Sequence, residues 1–242
     1  LIDFRAMLKF GSTIHVSTLS GFGFDPLIKI LVVNYGGTIL LAYYDLSLKT
    51  VGLARSAFGA AFIPIYNNFA AFKSKDISLN FKYFENITRL NSLLVGLFFS
   101  LLAFITPLVS IIFLEKIDIS FITISLGVLI GYVGNAIFIP MYMYAQSQKR
   151  LFWNNIGQLT IALVTLLVCF LIGLHNKSLV VYSIPFGLLF GSFICYFGNR
   201  REFIKEYSIL EKINLSEKSY LKTIFWAGFS AMTTLALCYH LI

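Results

Sequence analysis

Five ionisable side chains, Asp25, Lys29, Asp45, Lys49 and Arg55, stand in stretches that are otherwise almost entirely apolar. A charge at the centre of a bilayer costs at least about 2.5 to 3.5 kcal/mol, so such a residue faces a partner or a water-filled path. Asp25 and Lys29 are one helical turn apart, as are Asp45 and Lys49, so each pair can meet on one helix face. Gly11, His15, Thr18, Phe22, Asp25 and Lys29 fall on a single stripe, and Asp45, Lys49, Gly52 and Ser56 on another with Arg55 beside it. The functional reading of these stripes is the wall of a polar cavity. Lys29 and Lys49 supply point charges, and Arg55 a planar fork suited to carboxylate or phosphate oxygens. The structural alternative is an ion pair locking two helices, with Lys29 and Lys49 snorkelling to a nearby interface. Arg55 resists that alternative most, because it stands deeper in its apolar stretch and keeps its charge in proteins.

No enzymatic constellation accompanies these residues. His15, His175 and His240 lie on separate segments with no carboxylate at metal-ligand spacing, and no GxxxxGK[ST] phosphate loop occurs. Cys169, Cys195 and Cys238 all fall inside apolar runs without paired spacing, which argues against a disulfide framework or a zinc site. The reading is therefore a non-enzymatic protein with neither metal nor cofactor.

The elements that position the charged residues follow from composition. The chain has 242 residues, 58% apolar and 12% charged, about half the charged share of a water-soluble domain. Seven apolar runs, near 9–33, 49–71, 90–114, 119–145, 152–174, 178–198 and 221–242, are each long enough to cross about 30 Å of hydrocarbon. They are continuously apolar instead of alternating, which excludes a β-barrel and leaves an all-α bundle whose backbone bonds close within each segment.

The formal net charge of +8 is distributed in a way that needs no nucleic acid. Basic residues collect in alternate loops: Arg5 and Lys9; Lys73, Lys75, Lys82 and Arg89; Lys149 and Arg150; Arg200, Arg201, Lys205, Lys212, Lys218 and Lys222. Those 14 stand against Lys116 and Lys177 in the opposite loops, which places the amino terminus in the cytoplasm. Residues 199–220, with Phe203, Tyr207, Leu210 and Ile213 at helical spacing, read as an amphipathic cytoplasmic linker. Pro26, Pro64, Pro107, Pro140 and Pro185 predict kinks. Gly127 and Gly131 predict close helix approach, with Asn135 one turn further on that face; Asn154, Asn155 and Gln158 suit a cavity wall or interhelical bonds.

Two blocks carry a family resemblance. Phe10–Lys29, FGSTIHVSTLSGFGFDPLIK, closes on Asp25-Pro26 and a lysine; Tyr35–Arg55, YGGTILLAYYDLSLKTVGLAR, holds Gly36-Gly37, Tyr43-Tyr44-Asp45-Leu46, Lys49 and Arg55. Together they resemble the opening of a lobe in polysaccharide (O-antigen) repeat-unit flippases of the multidrug/oligosaccharidyl-lipid/polysaccharide exporter superfamily. Where that pattern more often reads Tyr-Glu-Leu-Ala, this chain has Tyr44-Asp45-Leu46-Ser47. The resemblance implies one lobe of a two-lobe, MATE-like transporter in a bacterial cytoplasmic (inner) membrane. It implies alternating access that carries an undecaprenyl-diphosphate-linked oligosaccharide outward, with Lys29, Lys49 and Arg55 on the diphosphate, Asp25 and Asp45 keeping the net cavity charge near +1, and Asp25 a candidate proton- or cation-coupling group. Residues 1–198 would form the six-helix lobe, 199–220 the linker and 221–242 an additional helix. One lobe offers one cavity wall, so the expected partner is a missing amino-terminal lobe or a second copy, the chain being the later half of a longer protein. The alternatives are a multidrug or small-molecule exporter of the same superfamily, a membrane-embedded glycan polymerase or transferase, and a membrane scaffold.

Overall fold

The computed structural model describes residues 4–70, 77–206 and 217–240. In chain order the helices are α1 (Phe4–Ala61), α2 (Ile63–Ala70), α3 (Ile77–Leu114), α4 (Ile119–Ile137), α5 (Ile139–Ser147), α6 (Phe152–His175), α7 (Ser183–Glu206) and α8 (Glu217–His240). A 3-10 turn, Lys177–Tyr182, precedes α7. Among the described residues there is no strand. Five stretches are long and apolar enough to cross a membrane: Asp25–Ala70, Asn80–Leu114, Ile119–Ile137, Phe152–His175 and Lys177–Lys205. Phe229–Tyr239 of α8 is a shorter apolar stretch.

α1 is two helical runs. Gly37 has φ 81° and ψ 178°, a conformation open essentially to glycine alone, and it separates residues 4–36 from 38–61. In a straight helix Lys29 and Asp45, sixteen residues apart, would stand about 24 Å from one another along the axis. Their side chains instead form an ion pair at 2.9 Å, so the chain folds back at Gly37. The expected loop between 33 and 49 is therefore helical apart from this turn. Its residues are strongly apolar (Ile39, Leu40, Leu41), and lipid favours a closed backbone over an open loop there.

The lipid-facing and inward faces of α3 separate cleanly. Leu93, Leu97, Leu101, Phe104, Leu108 and Ile112 are exposed at spacings of three and four, while Phe84, Thr88, Asn91, Val95, Phe99 and Ala103 are buried. In lipid, helices associate by close packing and polar contacts more than by hydrophobic transfer, and the interior shows both. Gly157 of α6 lies so near α7 that an added Cβ would come 2.6 Å from Cys195 Cβ and 2.9 Å from the Gly191 carbonyl. Gly131 of α4 meets the Pro185 backbone in the same way, at 2.7 Å, as the Gly127/Gly131 spacing predicts.

The predicted kinks are realised selectively. Breaks fall beside Pro64 and Pro140, whereas Pro26 and Pro107 sit inside continuous helix and Pro185 in the first turn of α7. Pro140 cannot donate to the Ala136 carbonyl, and the Asn91 side chain supplies that donor across the interface. Its Nδ2 lies 3.2 Å from Ala136 O and 2.9 Å from Ile137 O.

α4 lies at the centre, against α1, α3, α7 and α8. The Gly37 turn, the 115–118 loop and the end of α6 gather at one end, where the Tyr43 hydroxyl donates to Asp118 Oδ2 at 2.8 Å. Phe69, Phe84, Tyr144 and Phe203 close the other end, joining α2, α3, α5 and α7. Residues 199–206 continue α7 and bury Phe203 in that cluster, while Tyr207, Leu210 and Ile213 lie outside the described residues.

Candidate functional site

The polar residues of the bundle form two layers along the second run of α1. Asp45, Lys49 and Arg55 follow the Gly37 turn by eight, twelve and eighteen residues, about 12, 18 and 27 Å along the helix. Lys49 and Arg55 also point about 120° apart around the axis. The three sequence-predicted cations therefore do not converge on one point.

The upper layer is an ion network. Lys29 Nζ bridges Asp25 Oδ2 at 3.1 Å and Asp45 Oδ1 at 2.9 Å, while Lys49 Nζ takes the other Asp45 oxygen at 2.7 Å. Two lysines against two aspartates leave a formal charge of zero. The network joins both runs of α1 across the turn and is half open to its surroundings, with Lys49 70% exposed. Of the stripe preceding it, the side chains of His15, Thr18 and Phe22 lie outside those the structure describes.

Arg55 occupies the lower layer. Its Nη2 donates to Asn135 Oδ1 at 3.0 Å, and Asn135 Nδ2 donates to Ser192 Oγ at 3.1 Å, linking α1, α4 and α7. Arg55 Nε is buried without a partner, and among the described residues no carboxylate lies within ion-pair distance of this guanidinium. The side chain lines a cavity of about 300 Å³ together with Asn135, Tyr142, Gln158, Ser192 and Cys195. Behind the cavity, Asn154 Oδ1 accepts from Asn199 Nδ2 at 2.7 Å and from the Cys195 thiol at 3.3 Å.

A ladder of polar pairs between α1 and α4 connects these levels: Tyr43 with Asp118, Ser47 with Ser125 at 2.7 Å, and Arg55 with Asn135. At its head, burial pushes the Asp118 carboxyl up. The Tyr43 hydroxyl, the Phe121 amide and Lys116 more than offset this and hold it below the usual carboxylate range.

Sequence reasoning identified Arg55 and Gln158 but not the partners that define the cavity. Asn135 reads from spacing as packing, yet it is the residue that holds the guanidinium. Ser192 and Cys195 carry a weak signal, small polar residues among Gly187, Gly191 and Gly198 on an apolar helix, which marks close approach to α6. Chemically the site offers a cation with a spare donor in a partly open pocket whose wall mixes polar side chains with Phe138, Ile139 and Ile161. Among the described residues, no group of three His, Cys, Asp or Glu side chains is placed to hold a metal. Comparison with protein-family models, curated proteins and solved structures finds no match for this chain.

Proposed function

We propose that this chain is one lobe of a membrane transporter that binds the anionic head group of a lipid-linked glycan and passes it across the bilayer. The observation that carries the reading is Arg55, a permanently charged group with an unpartnered Nε and no carboxylate neighbour among the described residues, facing a cavity of about 300 Å³. A cation held in such a place is costly unless something anionic or aqueous compensates it. A diphosphate does so through charge-assisted bonds to the guanidinium, and Gln158, Tyr142 and Ser192 suit the hydroxyls of an adjoining sugar. The ion network nearer the Gly37 turn is already neutral, so Lys29 and Lys49 take part only when a competing anion displaces Asp45.

In this proposal the Gly37 turn divides α1 into two crossings and α8 makes the seventh, with the basic loops in the cytoplasm. The membrane is a bacterial inner membrane. A second bundle, or a second copy of this chain, supplies the opposite wall of the path, because rocking one bundle against another needs two. The two blocks around Asp25 and Asp45, which resemble polysaccharide-repeat flippases, point to the same cargo.

Binding needs only the wall that carries Arg55, so it is the direct test. A prenyl-diphosphate oligosaccharide is titrated into the purified chain in detergent and compared with a neutral glycolipid of the same sugar. Arg55→Ala is expected to weaken the diphosphate ligand about ten- to hundredfold, the range of a hydrogen bond to a charged group, and to leave the neutral one unchanged. Unchanged diphosphate affinity would remove the cationic site. Equal affinity for a drug-like organic cation or a neutral lipid would favour the small-molecule exporter.

A further inference from the structure

We infer that the basic end of α7, beside the start of α6, binds the head group of an anionic phospholipid whose chain lies along the aromatic face above it. Phe193, Phe197, Arg201 and Lys205 succeed one another at intervals of four, one helix stripe that turns from aromatic to cationic. Phe193 is 39% and Phe197 55% exposed, and their rings stack at 6.1 Å. Arg201 and Lys205 are exposed and have no carboxylate partner among the described residues.

The neighbouring start of α6, which runs antiparallel to α7, carries a cation and an aromatic in the reverse chain order. Phe152 is 63% exposed at the first residue of α6, and exposed Lys149 lies three residues before it. The two pieces are clamped together: Trp153 packs against Gly198, and its Nε1 donates to Glu202 Oε1 at 2.9 Å. Lys149, Arg201 and Lys205 are exposed beside this clamp and form no ion pair among the described residues. The loop bearing Lys149 is itself pinned, by Lys149 N–H to Gln146 O at 3.0 Å and Arg150 N–H to Ala145 O at 2.8 Å.

An apolar stripe that ends in cations at the edge of the lipid-facing surface matches a molecule that is apolar along its length and anionic at its head. Basic residues near a membrane surface each contribute about 1 kcal/mol toward anionic lipid, about fivefold in affinity. Free phosphate would meet only the cations and has no use for the exposed aromatic rings.

The test uses Trp153 as reporter in the Trp226→Phe chain, held in zwitterionic nanodiscs. Brominated phosphatidylglycerol is expected to quench Trp153 at several-fold lower mole fraction than brominated phosphatidylcholine. Arg201→Gln with Lys205→Gln is expected to abolish that preference, whereas Lys116→Gln with Lys177→Gln, at the far end, is expected to leave it intact. Inorganic phosphate at millimolar concentration is expected not to reverse the quenching. Should the Arg201/Lys205 variant fold poorly, raising the salt to 1 M around the unsubstituted cations is expected to erase the preference as well. Equal quenching by the two lipids, or equal loss in the far-end variant, overturns the assignment.

Discussion

Lys29 Nζ lies 2.9 Å from Asp45 Oδ1 although the two are sixteen positions apart, and this pair defines how the chain turns at Gly37. Cysteines at positions 29 and 45 are expected to be joined rapidly by a short bismaleimide, shifting the mobility of the protein on a gel. A straight helix would hold them about 24 Å apart and give no intramolecular product. Gly37→Val is expected to suppress the product, because a β-branched residue cannot adopt φ 81° without strain.

Sidedness follows from the two ends of the bundle. Cysteines at Ser74 and Ser147 are expected to be protected from an impermeant thiol reagent in intact cells, and one at Thr38, beside the turn, is expected to be labelled. The reverse pattern would invert the orientation drawn from the basic loops.

Asn91 and Thr88 are both buried on α3 and make opposite predictions. Asn91→Leu removes the donor to two carbonyls at the Pro140 break and relieves only its own unpartnered Oδ1. The loss outweighs the gain, and destabilisation of about 1 to 3 kcal/mol is expected. The Thr88 hydroxyl is buried with no partner, so Thr88→Val is expected to be neutral or stabilising. Thermal unfolding in detergent distinguishes the two, and a larger fall for Thr88→Val would contradict the assignment of these bonds.

Asp118 gives the bundle a specific acid response. Its carboxyl is held below the usual range in the folded protein, so between that value and the unfolded one, about 3.9, the unfolded chain binds more protons and stability rises with pH. The contribution is complete above about pH 4 and is lost as the pH falls through the lowered value. Asp118→Asn is expected to flatten this part of the profile and to lower stability at pH 7, read as unfolding midpoints between pH 3 and 7.

The sequence by itself determined the membrane-spanning helical character, the partition of basic residues between alternate loops, and the ionisable residues that apolar surroundings make conspicuous. These follow from local quantities: run length, apolar content and the one-turn spacing that pairs Asp25 with Lys29 and Asp45 with Lys49. Only the tertiary structure decided which faces meet. Gly36-Gly37 signals a break, but nothing local says that helix resumes at once in the apolar residues after it, so the second run begins eleven residues earlier than its charges suggest. That shift sets Lys49 in the neutral network with Lys29 and Asp45 and sends Arg55 about 9 Å further, to Asn135 and Ser192. Asn135, Ser192 and Asn91 are ordinary small polar residues in sequence. Their roles arise from helices 45 to 80 residues apart along the chain, brought together by glycine-mediated packing that no periodicity within one helix can encode.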